Sequence, residues 1–108
     1  MDKTQRIREL NDRFRKTWFG GQVLVTRGIA TLPSELRADV IEQVRTFSAF
    51  TPDNDPHGEH DFGTVTVGTY KVFWKIDYYA EDMMHGSDDP ANPAITKRVL
   101  TIMLANEY

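Results

Sequence analysis

The chain has 108 residues, of which 40% are hydrophobic and 27% charged, a composition typical of one folded domain rather than of a disordered segment. It contains no cysteine, which excludes disulfides, thiol nucleophiles and Cys-ligated metal centres and suits a reducing cytoplasm. The formal net charge is −3, and the charged N-terminus and the lack of a long apolar run predict neither a signal peptide nor a membrane span. We expect a single cytoplasmic domain over residues 1–108.

The first part of the chain predicts a basic amphipathic helix followed by a strand. Asp2 is a suitable N-cap, and Ile7, Leu10 and Phe14 share one face of a helix over residues 2–16. Gly20 and Gly21 end that helix, and the β-rich residues 22–26 predict a strand.

A second helix is expected to begin at Pro33. Its apolar stripe has helical spacing and consists of Leu36, Val40, Ile41, Val44 and Phe47. A short additional strand is an option at residues 46–50.

The next two elements form a predicted β-hairpin. Residues 62–67 and 70–79 are β-rich, and Gly68-Thr69 suits a two-residue type II′ turn. Such a turn pairs Val67 with Tyr70 and Gly63 with Trp74. One face then becomes the core side, with Val65, Val67, Tyr70, Val72, Trp74 and Ile76.

The end of the chain predicts a third helix. Asn92 and Pro93 suit an N-cap and a first helical residue, and the apolar positions from Ile95 to Leu104 cover more than one helical stripe as far as about Asn106. This helix is expected to lie in the core or to form a homo-oligomer interface. The predicted fold is therefore α+β, with a small antiparallel sheet (hairpin 62–67/70–79 plus strand 22–26) packed against three helices.

The polar residues 51–63 form the most unusual segment, with two of the three histidines of the chain. A calcium-type register starting at Asp53 fails because its last position is Thr64 instead of a bidentate Glu. No cofactor is expected by default, but a divalent transition metal remains an alternative, with the ligands His57, His60, Asp61 and His85. If the hairpin ladder continues, His60 stands opposite Asp77, which would orient its ring. A third interpretation is purely structural, with capping side chains and turn prolines.

The two polar loops together predict an acidic docking surface. Its carboxylates are Asp53, Asp55, Glu59, Asp61, Glu81, Asp82, Asp88 and Asp89. Met83 and Met84 lie beside them, and flexible apolar side chains next to acids suit protein docking. A protein partner is therefore favoured over nucleic acid, whose phosphates an acidic body repels. Nucleic-acid binding is left to the basic helix through Arg6, Arg13, Arg15 and Lys16.

Several strings of residues resemble a known family. They are IRELNDRFR at residues 7–15, VTRGI at 25–29, FTPDNDPHGEHDFG at 50–63, FWKIDYY at 73–79 and HGSDDPANPAITKRVLTIMLANEY at 85–108. The chain resembles a bacterial family of small proteins catalogued as domain of unknown function 3768. The resemblance implies no activity, cofactor or catalytic residue, but it associates the chain with plasmids and other mobile elements near antirestriction-type genes.

The sequence therefore predicts a non-enzymatic protein that binds a macromolecular partner through its acidic loops. The resemblance implies a more specific form, a mobile-element-encoded inhibitor of host defence of the anti-CRISPR or antirestriction type. The alternative is a metal-dependent, hydrolase-like enzyme that uses the DPHGEHD loop, residues 55–61.

Overall fold

Three helices, four strands and a final 3-10 turn make up the structure, a computed structural model that describes residues 2–108. In chain order the elements are α1 (Lys3–Thr17), β1 (Gly21–Val25), α2 (Arg27–Ala30), α3 (Ser34–Arg45), β2 (Phe62–Val67), β3 (Tyr70–Tyr79), β4 (Lys97–Leu104) and the 3-10 turn (Ala105–Glu107). The first two predicted helices and the first strand are confirmed to within a few residues at each end. Residues 46–50 do not form the optional strand.

The four strands form one sheet in the order β1-β4-β3-β2. β3 pairs antiparallel with β2 and with β4, whereas β1 runs parallel to β4, with Val23 beside Leu100. The sheet is therefore mixed, and the predicted antiparallel sheet is only partly correct. A parallel pair needs a long crossover connection, and here the chain between β1 and β4 provides it.

The β2–β3 hairpin has the predicted register. Val67 pairs with Tyr70 and Gly63 with Trp74, and Gly68 has a φ of +58° in the turn. The predicted core face is buried except at Tyr70, which lies beside the turn and is 38% exposed. Local signals were sufficient here because a two-residue turn determines the pairing of both strands.

The predicted C-terminal helix is wrong. Residues 97–104 form β4, which lies between β1 and β3 in the middle of the sheet. Leu100 and Ile102 are buried beneath the helices, and Val99 and Met103 are buried on the opposite face. The sequence of a strand that is buried on both faces lacks a simple apolar–polar alternation. Its pattern therefore cannot be told apart from that of a buried helix. The homo-oligomer interface was predicted on this helix, whose residues form β4 instead, and the oligomeric state of the protein stays a prediction.

All three helices pack on the same face of the sheet. The core contains Phe14 of α1, Ile29 of α2 and Val40 and Val44 of α3, packed against the Trp74 side of β3. α1 begins with a capping box in which Asp2 and Gln5 bind each other's backbone N–H groups. None of the helices in residues 2–108 has the length and apolar composition needed to cross a lipid bilayer.

Candidate functional site

The two polar loops, residues 51–61 and 80–96, meet at one end of the sheet. Tyr78 contacts both: its hydroxyl donates to the Glu59 carboxylate at 2.8 Å, and its carbonyl accepts from the Ser87 N–H at 3.1 Å. Helix α1 also holds both loops, because Arg8 donates to the Gly58 carbonyl at 3.1 Å and Lys3 lies 3.8 Å from Asp89. The loops therefore lie close together, as the docking-surface hypothesis required.

His60 joins the first loop to α1. Its Nδ1 atom lies 2.8 Å from Oδ1 of Asp12, and its Nε2 atom lies 3.6 Å from Oδ2 of Asp55. The imidazole stacks on Phe50 with 3.7 Å between the ring centroids and 4° between the planes. The backbone of His60 has a φ of +55°, a conformation that non-glycine residues adopt only when their contacts hold them there.

The predicted pairing of His60 with Asp77 is wrong. The Ile76 N–H still donates to the Asp61 carbonyl at 2.8 Å, so the hairpin continues that far. At His60 the positive φ turns the chain out of the ladder and towards α1. Asp77 instead pairs with Lys75 at 2.9 Å.

The structure does not gather the predicted metal ligands. Both ring nitrogens of His60 face carboxylates, His57 is exposed, and His85 belongs to the other loop, where its Nδ1 lies 2.7 Å from Asp82. Within residues 2–108, no three His, Asp or Glu side chains come together in a metal-binding arrangement. The ligand set proposed for the alternative enzyme is therefore dispersed.

A buried polar network lies behind the loops. The Asn11 Nδ2 donates to the Tyr78 hydroxyl at 2.7 Å and to the Glu59 carbonyl at 3.0 Å, and Arg98 Nε donates to Asn11 Oδ1 at 2.8 Å. Burial raises the pKa of Tyr78, so its hydroxyl stays protonated and donates to Glu59. Burial and the nearby Glu59 charge also raise the pKa of Asp61.

Sequence reasoning missed this network, although one signal pointed to it. Asn11 follows Ile7 by four residues and precedes Phe14 by three, so it lies on the buried face of α1. A buried amide needs hydrogen-bond partners, which predicts a polar contact from another element. The identity of those partners, Glu59, Tyr78 and Arg98, had no local signal.

Arg15 does not belong to the exposed basic surface that was predicted. Its side chain is only 1% exposed, and its guanidinium lies 5.0 Å from the Trp74 ring and 5.4 Å from the Phe50 ring. It donates to Asp12 at 3.2 Å and to the Phe47 carbonyl at 2.9 Å. Arg15 is therefore a core cation and is out of reach of a phosphate backbone.

The eight predicted docking carboxylates occupy different environments. In the first loop only Asp53 is exposed, because Asp55 faces His60 with a side chain only 6% exposed and both Glu59 and Asp61 are half-buried. In the second loop Glu81, Asp82 and Asp88 are exposed, and Asp89 pairs with Lys3. The accessible negative charge therefore comes mainly from the second loop.

The second loop contains an ordered turn, residues 80–87, which we call the Met loop. The Asp82 carboxylate accepts from the N–H groups of Met84 and His85 at 2.8 and 3.2 Å, and these bonds, together with the His85 ring, lower the pKa of Asp82. Met83 has a φ of +61°, and Met84 is 81% exposed. The hydrogen bonds therefore hold two apolar side chains out towards solvent.

The Met loop lies beside the turn that leads into β1. Met83 and residues 20–22 line one cavity of about 440 Å³. Phe19, the first residue of that turn, is 81% exposed. We call the three exposed side chains Phe19, Met83 and Met84 the apolar tip. Met83 lines a cavity with Gly20, the residue that follows Phe19 in the chain, and exposed apolar groups in such an arrangement suit an interaction surface.

A family model described as protein of unknown function (DUF3768) matches residues 25–107. The match includes both polar loops and the strands β2, β3 and β4, but only Val25 of β1. Neither the curated proteins nor the solved structures contain a match to the chain.

Proposed function

The chain belongs to the DUF3768 family, and we propose that it acts by binding a protein partner through the apolar tip and the exposed carboxylates of the second loop. The observation that carries this proposal is the arrangement of the Met loop. Hydrogen bonds from the Met84 and His85 N–H groups to Asp82 order the turn while Met84 remains 81% exposed. An ordered loop that holds apolar side chains in water is pre-organised for contact with another surface.

The charges around the apolar tip indicate the chemistry of the partner. Glu81 and Asp88 are exposed and make no ion pair among residues 2–108. The complementary surface is an apolar pocket bordered by Lys or Arg, in which the methionines supply contact area and the carboxylates steer association. The lack of cysteine supports a partner in the reducing cytoplasm.

Inhibition of a host-defence protein is the more specific form of this function. It is supported by the family resemblance, which associates the chain with plasmids and other mobile elements near antirestriction-type genes. A nucleic-acid-binding defence protein would offer the basic groove that an acidic inhibitor needs.

Affinity purification from cells, followed by reconstitution with the purified partner, tests the proposal. We compare the wild-type protein with Met83→Ser/Met84→Ser and with Glu81→Gln/Asp88→Asn. We expect the methionine variant to lose about 10- to 100-fold in affinity, mainly through faster dissociation. The charge variant should slow association and weaken its dependence on salt.

The matched control is Glu42→Gln/Asp39→Asn, which removes two exposed charges from α3, away from the loops. It should bind like the wild-type protein. Equal affinity of the wild-type and methionine variants for the reconstituted partner would overturn the proposal.

A further inference from the structure

β1 is an edge strand whose outer side is open. Among residues 2–108 it pairs only with β4, and four of its five residues are exposed. The Thr26 N–H donates to the Ile102 carbonyl at 3.0 Å, so at this position the backbone faces β4. Because backbone groups alternate in direction along a strand, those of Val23 and Val25 point to the outer edge. Unpaired backbone groups of this kind are a template for another strand.

Natural edge strands are usually protected by a charge, a proline or a bulge. β1 has none of these, because its sequence is Gly-Gln-Val-Leu-Val. Its side chains also remain available, with Leu24 46% and Val25 40% exposed on opposite faces of the sheet. A strand added beside β1 would therefore cover apolar surface on both faces.

The other edge of the sheet differs from β1. β2 also presents free backbone groups, but its apolar residues Val65 and Val67 are already buried against the helices, and its exposed positions are the threonines Thr64 and Thr66. β1 starts beside the Met loop, since Met83 and residues 20–22 line one cavity. The exposed carboxylates of Glu81 and Asp88 lie in the second polar loop, which also contains Met83.

We propose that the partner adds an extended, basic segment to the outer edge of β1, in the mode of β-strand addition. This inference rests on the proposed function and specifies the kind of partner. The free backbone groups of Val23 and Val25 require an extended chain, Leu24 and Val25 favour apolar side chains in it, and the acidic second loop favours Lys or Arg at its end.

Hydrogen exchange followed by NMR tests this inference with a defined probe. The probe is a synthetic peptide of about eight residues that alternates Val and Thr and carries Lys at each end. In the free protein the amides of Val23 and Val25 should exchange rapidly. Saturating peptide should slow both at least about tenfold, because the new strand accepts their hydrogen bonds.

Proline substitutions provide matched variants. Val25→Pro removes an outward N–H without removing a bond to β4, and it should abolish binding of the peptide. Thr66→Pro makes the equivalent change on the free edge of β2 and should leave binding unchanged. If the proline variant does not fold, Val25→Lys replaces it. This variant keeps the N–H but places a charge on the edge of the sheet, so it should also weaken binding of the peptide.

Three outcomes would overturn strand addition. If the peptide perturbs only residues 81–88, it binds the acidic loop without pairing, and the proposed partner surface survives alone. If it protects β2, or protects no amide at either edge, β1 is not the docking strand. If the free protein is a dimer in which the Val23 and Val25 amides are already protected, the occupant is a second copy of this chain.

Discussion

The Nδ1 atom of His60 lies 2.8 Å from Oδ1 of Asp12, a contact between residues 48 positions apart in the chain. It anchors the first polar loop to α1, and the stack on Phe50 holds the imidazole from the side. We expect His60→Ala to lower the free energy of unfolding by about 2–4 kcal/mol, because it removes a hydrogen bond to a carboxylate and an aromatic contact. Urea denaturation measures the change.

The control for His60 is His57, which lies in the same loop. His57 is exposed and forms no hydrogen bond among residues 2–108, so His57→Ala should change stability by less than about 0.5 kcal/mol. Equal effects of the two substitutions would mean that the contact with Asp12 does not stabilise the fold.

Arg15 should behave as a core residue. Arg15→Ala removes a buried cation that packs on Trp74 and pairs with Asp12, so we expect a loss of about 3 kcal/mol or more in unfolding free energy. Arg13→Ala removes an exposed charge two residues earlier on the same helix and should have little effect. Thermal unfolding followed by circular dichroism measures the melting temperatures of both variants. Equal melting temperatures would contradict the placement of Arg15 in the core.

Asp61 should make stability depend on pH in the direction opposite to that of a paired carboxylate. Burial and Glu59 raise its pKa in the folded protein, so the folded state binds a proton more tightly than the unfolded state does. Its ionisation therefore destabilises the fold as pH rises from the ordinary Asp pKa through the raised value. Asp61→Asn should stabilise the protein at neutral pH, and this gain should disappear below the ordinary Asp pKa.

The measurement for Asp61 is the melting temperature as a function of pH. Asp53→Asn is the matched variant, because Asp53 is exposed in the same loop. A stabilisation by Asp61→Asn that is independent of pH, or one shared by Asp53→Asn, would show that burial of the Asp61 charge is not its cause.

Gly63 has no side chain and so leaves space for the Trp74 indole of the neighbouring strand. A Cβ atom at Gly63 would lie 2.6 Å from the Cε2 atom of Trp74, much closer than real contacts allow. Gly63→Ala should therefore destabilise the protein by about 1–3 kcal/mol and change the environment of the indole. Near-ultraviolet circular dichroism and urea denaturation measure both effects, and Thr64→Ala on the exposed side should leave the indole signal as it is in the wild-type protein.

Local sequence patterns predicted the fold correctly for those elements whose geometry depends on nearby residues alone. The β2–β3 register followed from Gly68-Thr69 and strand alternation, and α1 followed from Asp2 and the spacing of Ile7 and Phe14. The same reasoning failed for β4, because Leu100 and Ile102 face one side of the sheet while Val99 and Met103 are buried on the other. The parallel pairing of β1 with β4 depends on the whole intervening chain and had no local signal.

The candidate site was predictable in composition but not in geometry. The acidic loops were recognised from their residues, and the structure brings both to Tyr78. The partner of His60 was not predictable, because extending the hairpin pointed to Asp77 and a single backbone turn at His60 redirects the ring to Asp12. The exposure of Met84 was not predictable either, since it goes with a hydrogen bond that the Met84 N–H donates to the Asp82 carboxylate.

Photo-cross-linking in cells tests the proposed partner surface most directly. A photoreactive benzoylphenylalanine replaces Met84 in one variant and the exposed Asp39 of α3 in a control. We predict one discrete protein adduct from position 84, with a lower yield when Glu81→Gln and Asp88→Asn are added, and no such adduct from position 39. The same adducts from both positions, or none from position 84, would contradict the assignment of this surface as the partner-binding site.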